Sequence, residues 1–275
     1  MRCSEVELGP QKLPNTKEGT PKVSVIMPTY NCGKYIAESI QSVCAQTMPD
    51  WELIIVDDCS TDNTQEILQP YLQRFPNIHY YKLEQNSGPA VARTAAIQKA
   101  TGKYIAFLDS DDLWLPEKLE KQIAFMRKKD VVFSCTAYEI MDEKGKRLHT
   151  AWIPPEKTDY KKCVRLSDPI GNLTVMYDQE VLGKFAVPAI KKRNDFALWL
   201  QILKRTGYCA GYAEVLAVYR LGRKTSVSTN KLYLAKYHWQ LYHKIEGMNV
   251  LASISAMMCW AFVKGTGIGL KKRRI

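Results

Sequence analysis

The chain has 275 residues, 46% hydrophobic and 24% charged, enough to bury the core of one upper-size domain or of a domain with an appended subdomain, which excludes extensive disorder. Its 39 Lys+Arg against 28 Asp+Glu leave a net charge of +11, a balance that favours an anionic partner: nucleic acid, phosphorylated substrate or anionic membrane. No run of ~18 apolar residues is present, which argues against a transmembrane helix.

Residues 1–21 are rich in Pro, Gly, Glu and Lys without the charged-then-apolar pattern of a signal peptide, and read as a flexible leader. From Lys22 onward, short β-rich runs alternate with segments of helical period. This is the signature of βαβ units and predicts an α/β fold, a mostly parallel sheet flanked by helices. Val23-Ser24-Val25-Ile26-Met27 is the first strand. Ile36, Ile40, Val43 and Cys44 then mark one face of an amphipathic helix. Leu53-Ile54-Ile55-Val56 is a continuous apolar strand suited to burial on both faces. Thr61-Asp62-Asn63-Thr64 can cap a helix running to about Phe75, and Ile78 to Leu83 is a third strand.

Gly88-Pro89 opens an alanine-rich helix that stops at Gly102. Tyr104 to Leu108 is the fourth strand and runs directly into Asp109-Ser110-Asp111-Asp112; Leu115-Pro116-Glu117 begins the next helix, and Val131 to Ile140 is a fifth strand. Pro154, Pro155, Pro169 and Pro188 then interrupt 141–190, which reads as loops and short strands. A helix carrying Phe196, Leu198, Trp199, Ile202 and Leu203 precedes Gly207, and the pattern beyond Thr229 is helical to the end. The expected organisation is a leader over 1–21, one domain with halves 22–140 and 141–229, and a helical segment over 230–275.

Eight cysteines without a C-x-x-C pair read as reduced core thiols, which with the leader points to the cytoplasm. Four histidines show no close zinc spacing, so any metal should be held by oxygen. The basic runs at 127–129, 161–162 and 191–193 read as solvated faces. Lys271-Lys272-Arg273-Arg274 is different, because it follows an apolar stretch with Leu251, Ile254, Met258 and Phe262 on one helical face. That stretch is too short to span a bilayer but suits a helix lying on an anionic membrane surface; the competing reading is a helix packed on the protein.

Two acidic groups carry the chemistry. Asp57-Asp58 follows the second strand and Asp109-Ser110-Asp111-Asp112 the fourth, so both emerge at the carboxyl edge where open α/β sheets bind ligands. Either group alone would be explained as a cap or an Asx-turn; two at one edge point to a site. Crowded carboxylates repel, and a D-x-D pair offers hard oxygens to Mg²⁺ or Mn²⁺ while leaving coordination positions for diphosphate oxygens.

Val23-Ser24-Val25-Ile26-Met27-Pro28-Thr29-Tyr30-Asn31, Ile55-Val56-Asp57-Asp58-Cys59-Ser60-Thr61-Asp62 and Tyr104-Ile105-Ala106-Phe107-Leu108-Asp109-Ser110-Asp111-Asp112 resemble the three hallmark segments of family 2 glycosyltransferases of the Rossmann-like GT-A fold. The resemblance implies an inverting transferase that moves a sugar from a nucleotide-sugar, a UDP-sugar, to a saccharide acceptor; the basic, partly apolar C-terminus points to a lipid-linked one, as in bacterial surface polysaccharide assembly. The resemblance also implies that Pro28, Thr29, Tyr30 and Asp58 surround the base, that Asp111 meets the ribose side, and that Asp112 holds Mn²⁺ or Mg²⁺ at the diphosphate. Asn86-Ser87-Gly88-Pro89 with Arg93 resembles the segment that approaches donor ribose and phosphates, although Thr94 stands where the family carries Asn. Asn194-Asp195 resembles the family's Glu-Asp motif, with Asp195 as the base that takes the acceptor proton. Tyr219-Arg220 and the following Arg223 to Ser228 resemble a late segment that closes over the diphosphate, which makes Arg220 a donor contact.

On this reading the partners are the donor, the acceptor and the cytoplasmic face of the inner membrane, with no nucleic acid. The rivals are a sugar nucleotidyltransferase, which would carry a glycine-rich basic loop where this chain has Pro28-Thr29-Tyr30-Asn31, and a catalytically silent nucleotide- or membrane-binding scaffold.

Overall fold

The computed structural model describes residues 22–166, 168–221, 231–266 and 271–274. In chain order the first half comprises β1 (Val23–Thr29), α1 (Ile36–Cys44), β2 (Trp51–Asp57), α2 (Thr64–Arg74), β3 (Ile78–Lys82), α3 (Pro89–Lys99), β4 (Tyr104–Phe107), β5 (Leu113–Trp114), α4 (Lys118–Lys129) and β6 (Phe133–Met141). The second half comprises β7 (Arg147–Ile153), β8 (Lys157–Asp159), α5 (Tyr160–Arg165), β9 (Met176–Asp178), α6 (Gln179–Leu182), α7 (Asn194–Thr206) and β10 (Tyr208–Arg220). A C-terminal group follows: α8 (Lys231–Trp239), a π turn over Gln240–Ile245, α9 (Val250–Thr266) and β11 (Lys271–Arg274).

The strands form one mixed sheet in the order β11-β7-β6-β9-β4-β1-β2-β3, with β10 alongside β6 and also pairing with β5 and β8. β3, β2, β1 and β4 are mutually parallel. Beyond β4 the order changes: β9 lies antiparallel between β4 and β6, and β6 is parallel to β10 but antiparallel to β7. The last residues, expected as helix, form β11, an edge strand antiparallel to β7.

Alternation along the parallel strands divides the core between two faces, as a period of two requires. On β1, Val23, Val25 and Met27 pack with Ile36 and Ile40 of α1, whereas Ile26 packs on the opposite side with the alanines of α3 and with Trp199 of α7. Trp199 is fully buried and meets the Phe107 ring edge-on at 5.1 Å. At the amino edge of the sheet, Glu52 accepts from Ser24 Oγ at 2.6 Å and from Thr101 N at 2.7 Å, which satisfies a buried carboxylate and pins the α3–β4 connection. No disulfide joins the described cysteines.

Lys118 is a fully buried amine on α4. Its Nζ donates to Gln122 Oε1 at 2.6 Å and lies 4.4 Å from the Trp114 ring centroid. Burial pushes its pKa down from 10.5 to about 7. Between those values the unfolded chain binds the proton that the folded chain has released. Stability therefore rises with pH from about 7 to about 10.5, by up to ~1.4 kcal/mol per unit, and the cost of burying the charge is fully present below pH 7. Lys118→Met is expected to flatten this rise and to gain most stability at low pH. Urea unfolding at pH 6 and pH 9 checks it; parallel wild-type and variant profiles would contradict it.

Candidate active site

Because β1, β2 and β4 are parallel and in register, with Thr29 beside Asp57 and Ile26 beside Phe107, their carboxyl ends deliver three loops to one edge. Two of these loops are tied together. Asp58 N donates to Thr29 O at 2.9 Å, Asn31 N to Ser60 Oγ at 2.9 Å, and Thr61 N to Asn31 Oδ1 at 2.8 Å. Asn31 and Cys59 adopt left-handed φ values of 46° and 66°, and a Cβ at Gly33 would stand 2.1 Å from Asn63 Oδ1, so the chain turns here without room for a side chain. Asp57 serves this turn: its Oδ1 accepts from Ser60 N at 2.8 Å and its Oδ2 from the Tyr80 hydroxyl at 2.8 Å. Burial first, and then this bond, pushes the Tyr80 hydroxyl pKa well above its ordinary value, so Tyr80 stays a donor.

Over these loops opens a cavity of about 520 Å³, a size that suits a small-molecule ligand. Pro28, Thr29, Tyr30, Asp58, Arg93, Asp111, Asp112 and Asp195 all line it. Residues up to 195 are thus brought to one place, although Asp112 and Asp195 lie far apart in sequence. The β2 and β4 acidic groups share the edge as their positions after parallel strands require.

The carboxylates differ in their surroundings. Asp58 accepts Ser87 N at 2.6 Å through Oδ1 and Gly88 N at 2.8 Å through Oδ2, which holds the turn where α3 begins and brings the amino end of α3 to the cavity. Asp109 is engaged by Arg93 at 3.0 Å and by Asn172 Nδ2 at 2.9 Å. Asp112 is buried, and its Oδ1 accepts the backbone N–H of Arg220 at 2.9 Å. Arg93 is nearly buried and joins two walls, since its guanidinium also donates to Asn194 Oδ1. Asp195 stands in the first turn of α7, where its Oδ1 accepts Phe196 N at 2.8 Å.

Arg220 is the expected donor contact that does not line the cavity. Its guanidinium is buried elsewhere, donating to Glu38 Oε2 at 2.6 Å and to Asp111 O at 3.0 Å, and stacking 4.8 Å from the Tyr35 ring centroid. An arginine committed to an ion pair with α1 braces the Asp111-Asp112 turn from behind. The accompanying Arg223 to Ser228 lie outside the described residues. Thr94 is also structural: its Oγ1 donates to Ala90 O at 2.8 Å and accepts Val187 N at 2.9 Å.

Conversely, Lys191, Lys192 and Arg193, read from sequence as a solvated run, line the cavity, as do Tyr219 and Leu234. The signal available for the triplet was its direct continuity with Asn194-Asp195.

The carboxylates of Asp111 and Asp112 are hard oxygen donors of the type that Mg²⁺ or Mn²⁺ takes. Both line the cavity, and among the described residues no group of three or more His, Cys, Asp or Glu is placed to hold a metal ion by itself. One or two carboxylates with the remaining positions left to phosphate and water is how such ions are held at nucleotide sites.

The sequence model of glycosyl transferase family 2 matches residues 24–184, more than half of the chain. TuaG of Bacillus subtilis (strain 168), a glycosyltransferase assigned to teichuronic acid biosynthesis, is 44% identical over 253 residues, covering 92% of this chain and 98% of TuaG. WfgD of Escherichia coli, UDP-Glc:alpha-D-GlcNAc-diphosphoundecaprenol beta-1,3-glucosyltransferase, is 38% identical over 221 residues, covering 80% of this chain and 84% of WfgD. The fold matches that of S. aureus TarS 1-349 in complex with UDP-GlcNAc, at a TM-score of 0.68 and 21% identity, over 90% of this chain and 74% of that one. It also matches the mannosyltransferase PcManGT from Pyrobaculum calidifontis in complex with GDP-Man and Mn2+, at a TM-score of 0.59 and 18% identity, over 91% of this chain and 77% of that one. With the acidic carboxyl edge and the fold in agreement, the chain belongs to glycosyl transferase family 2 and is a glycosyltransferase of the GT-A fold.

Proposed function

We propose that this glycosyltransferase is an inverting, metal-dependent enzyme that moves a sugar from a UDP-sugar to a lipid-linked saccharide in surface polysaccharide synthesis. The observation that carries the reading is that Asp195 shares one cavity with Asp111 and Asp112. The names of TuaG and WfgD support the pathway class and a diphosphate-lipid acceptor, and the UDP-GlcNAc complex of TarS supports a uridine donor.

Pro28, Thr29 and Tyr30 hold the base beside Asp58, and Asp111 the ribose side. Asp112 would hold a divalent ion, which would supply charge neutralisation for the departing nucleotide diphosphate. The acceptor hydroxyl oxygen attacks the anomeric carbon as the bond from that carbon to the diphosphate oxygen breaks, and Asp195 takes the hydroxyl proton. Attack from the face opposite the leaving group inverts the anomeric centre. Incubation of the full chain with a panel of UDP-sugars, Mn²⁺ and a decyl-diphosphate α-GlcNAc acceptor tests the reading. UDP release that depends on both acceptor and metal is the expected result; nucleotide-triphosphate-dependent synthesis of a sugar nucleotide, or no turnover of any donor, overturns it.

The reading extends to the cytoplasmic membrane surface. No helix among the described residues is long and apolar enough to cross a membrane. On α9, Leu251, Ile254, Met258 and Phe262 are exposed, Leu251 at 80%, while Ser253, Ala256, Trp260 and Val263 face the protein. Basic side chains of Lys272, Arg273 and Arg274 are exposed on β11, which begins only five residues after α9 ends. An apolar helix face flanked by cations complements an anionic bilayer. Cosedimentation with phosphatidylglycerol-containing vesicles, weak with phosphatidylcholine alone, is expected. Replacing Leu251, Met258 and Phe262 together by Gln should weaken it by at least about tenfold, given ~1.5 kcal/mol or more for each buried apolar side chain. Retained binding by that variant would place the contact elsewhere.

A further inference from the structure

Lys191, Lys192 and Arg193 end the irregular segment between α6 and α7, and all three line the active-site cavity. The segment is held in place on both sides: Val187 N donates to Thr94 Oγ1 of α3 at 2.9 Å, and Asn194 accepts from Arg93. Arg193 turns the chain into α7 with a left-handed φ of 66°, and its carbonyl accepts Ala197 N at 2.9 Å. Its Nε is buried without a hydrogen-bond acceptor among the described residues. Neither Lys191 nor Arg193 forms an ion pair with a described carboxylate. Three of the five acids lining the cavity hold other partners: Asp58 two backbone N–H groups, Asp109 the Arg93 guanidinium, Asp112 the Arg220 N–H. Lys191, Lys192 and Arg193 therefore run into the amino end of a 13-residue helix at the cavity, a local concentration of positive charge beside the carboxylates that line it.

We infer that Lys191, Lys192 and Arg193 form a second anion subsite, separate from the metal position at Asp112, that receives the diphosphate of the acceptor; this rests on the transferase reading above. Position favours the acceptor over the donor as the source of that diphosphate. The triplet lies two to four residues before Asp195, the group that meets the acceptor hydroxyl. In a sugar 1-diphosphate only the width of the sugar ring separates a ring hydroxyl from the phosphate, a span that lysine and arginine side chains cover. The apolar tail of such an acceptor also has somewhere to go. Leu234 of α8 lines the cavity, and α8 packs on α9, whose exposed face is apolar.

The test compares the wild type with Lys191→Ala/Lys192→Ala, with the charge-conserving Lys191→Arg/Lys192→Arg, and with Lys128→Ala/Lys129→Ala as a control for general charge. Decyl diphosphate is titrated in the presence of saturating UDP and Mn²⁺. Transfer from the UDP-sugar is measured to decyl-diphosphate α-GlcNAc and to decyl α-GlcNAc, which lacks the diphosphate. The alanine pair should bind decyl diphosphate about tenfold or more weakly and raise KM for the diphosphate acceptor by a similar factor. The arginine pair should restore both, the control pair should match wild type, and KM for the UDP-sugar should stay within twofold throughout. Unchanged decyl diphosphate affinity overturns the subsite, as does an equal loss with both acceptors. A rise confined to the UDP-sugar KM assigns the triplet to the donor and overturns it too. Failure of all sugar transfer by wild type would instead refute the transferase reading, and the decyl diphosphate titration would still decide the subsite.

Discussion

Asp195→Asn is expected to lower the rate of sugar transfer by about 10² to 10⁴-fold, the range that loss of a positioned general base produces, with little change in folding or in donor binding. The substitution separates the proposed role of Asp195 as base from its hydrogen bond within the helix. Asp195 Oδ1 accepts the Phe196 N–H in the first turn of α7, and asparagine supplies an equivalent carbonyl oxygen, so the start of the helix is kept. What asparagine cannot do is carry the acceptor proton. Asn194 offers no substitute, because a carboxamide has no basic oxygen and its Oδ1 already accepts from Arg93. The transfer rate should therefore fall in kcat while KM for the UDP-sugar holds, and slow hydrolysis of the donor by water should persist. Asp195→Ala should show the same rate loss with an added drop in stability of about 0.3–1 kcal/mol for the lost first-turn carboxylate at the amino end of α7. An Asp195→Asn enzyme with transfer within threefold of wild type would leave Asp195 a structural residue of the first turn of α7 and send the search for the base elsewhere.

The donor half of the molecule was readable because its physics is local. β1, β2 and β4 are short apolar runs buried on both faces, and each ends in residues whose chemistry announces an edge. The rest depends on contacts between distant parts of the chain. β10 escaped notice because its 13 residues change register against β6 at Tyr212/Val215 and Val215/Ala217, which destroys the period of two. β9 is only three residues long and is recognisable by its neighbours β4 and β6, not by its own pattern. Lys271-Lys272-Arg273-Arg274 has no strand propensity; pairing with Thr150 to Ile153 supplies its conformation. The surroundings of Arg220 were hidden for the same reason: its guanidinium goes to Glu38, 182 residues earlier, a partner no spacing rule could nominate. The Lys191 to Arg193 triplet joined the cavity because the segment before it is bonded to Thr94 on α3, whereas its composition alone describes a solvated face.

Asp112→Asn should cost the enzyme about 10²- to 10³-fold or more in turnover, the range seen when a group stabilising transition-state charge is removed. Asparagine at this position can still accept the Arg220 N–H that Asp112 Oδ1 accepts at 2.9 Å, so the turn braced by Arg220 survives and the change is one of charge. A neutral amide is a poor ligand for a hard divalent ion, and without that ion the negative charge growing on the leaving diphosphate is met by Asp111 at close quarters, a repulsion that opposes the reaction. Binding should report the same loss independently of turnover. UDP with Mn²⁺, at a hundredfold over Kd, should raise wild-type stability by about 2.7 kcal/mol, and in Asp112→Asn the Mn²⁺-dependent part of that gain should vanish while the part due to UDP alone remains. Asp109→Asn is the contrasting case, since Asp109 is bonded to Arg93 and Asn172. It should lower stability more than it alters the Mn²⁺ dependence. If Asp112→Asn kept wild-type turnover and a full Mn²⁺-dependent shift, the metal position would have to move off Asp112. If a chelator left the wild type unaffected, the positive charge opposing the diphosphate would have to come from the protein's own cations.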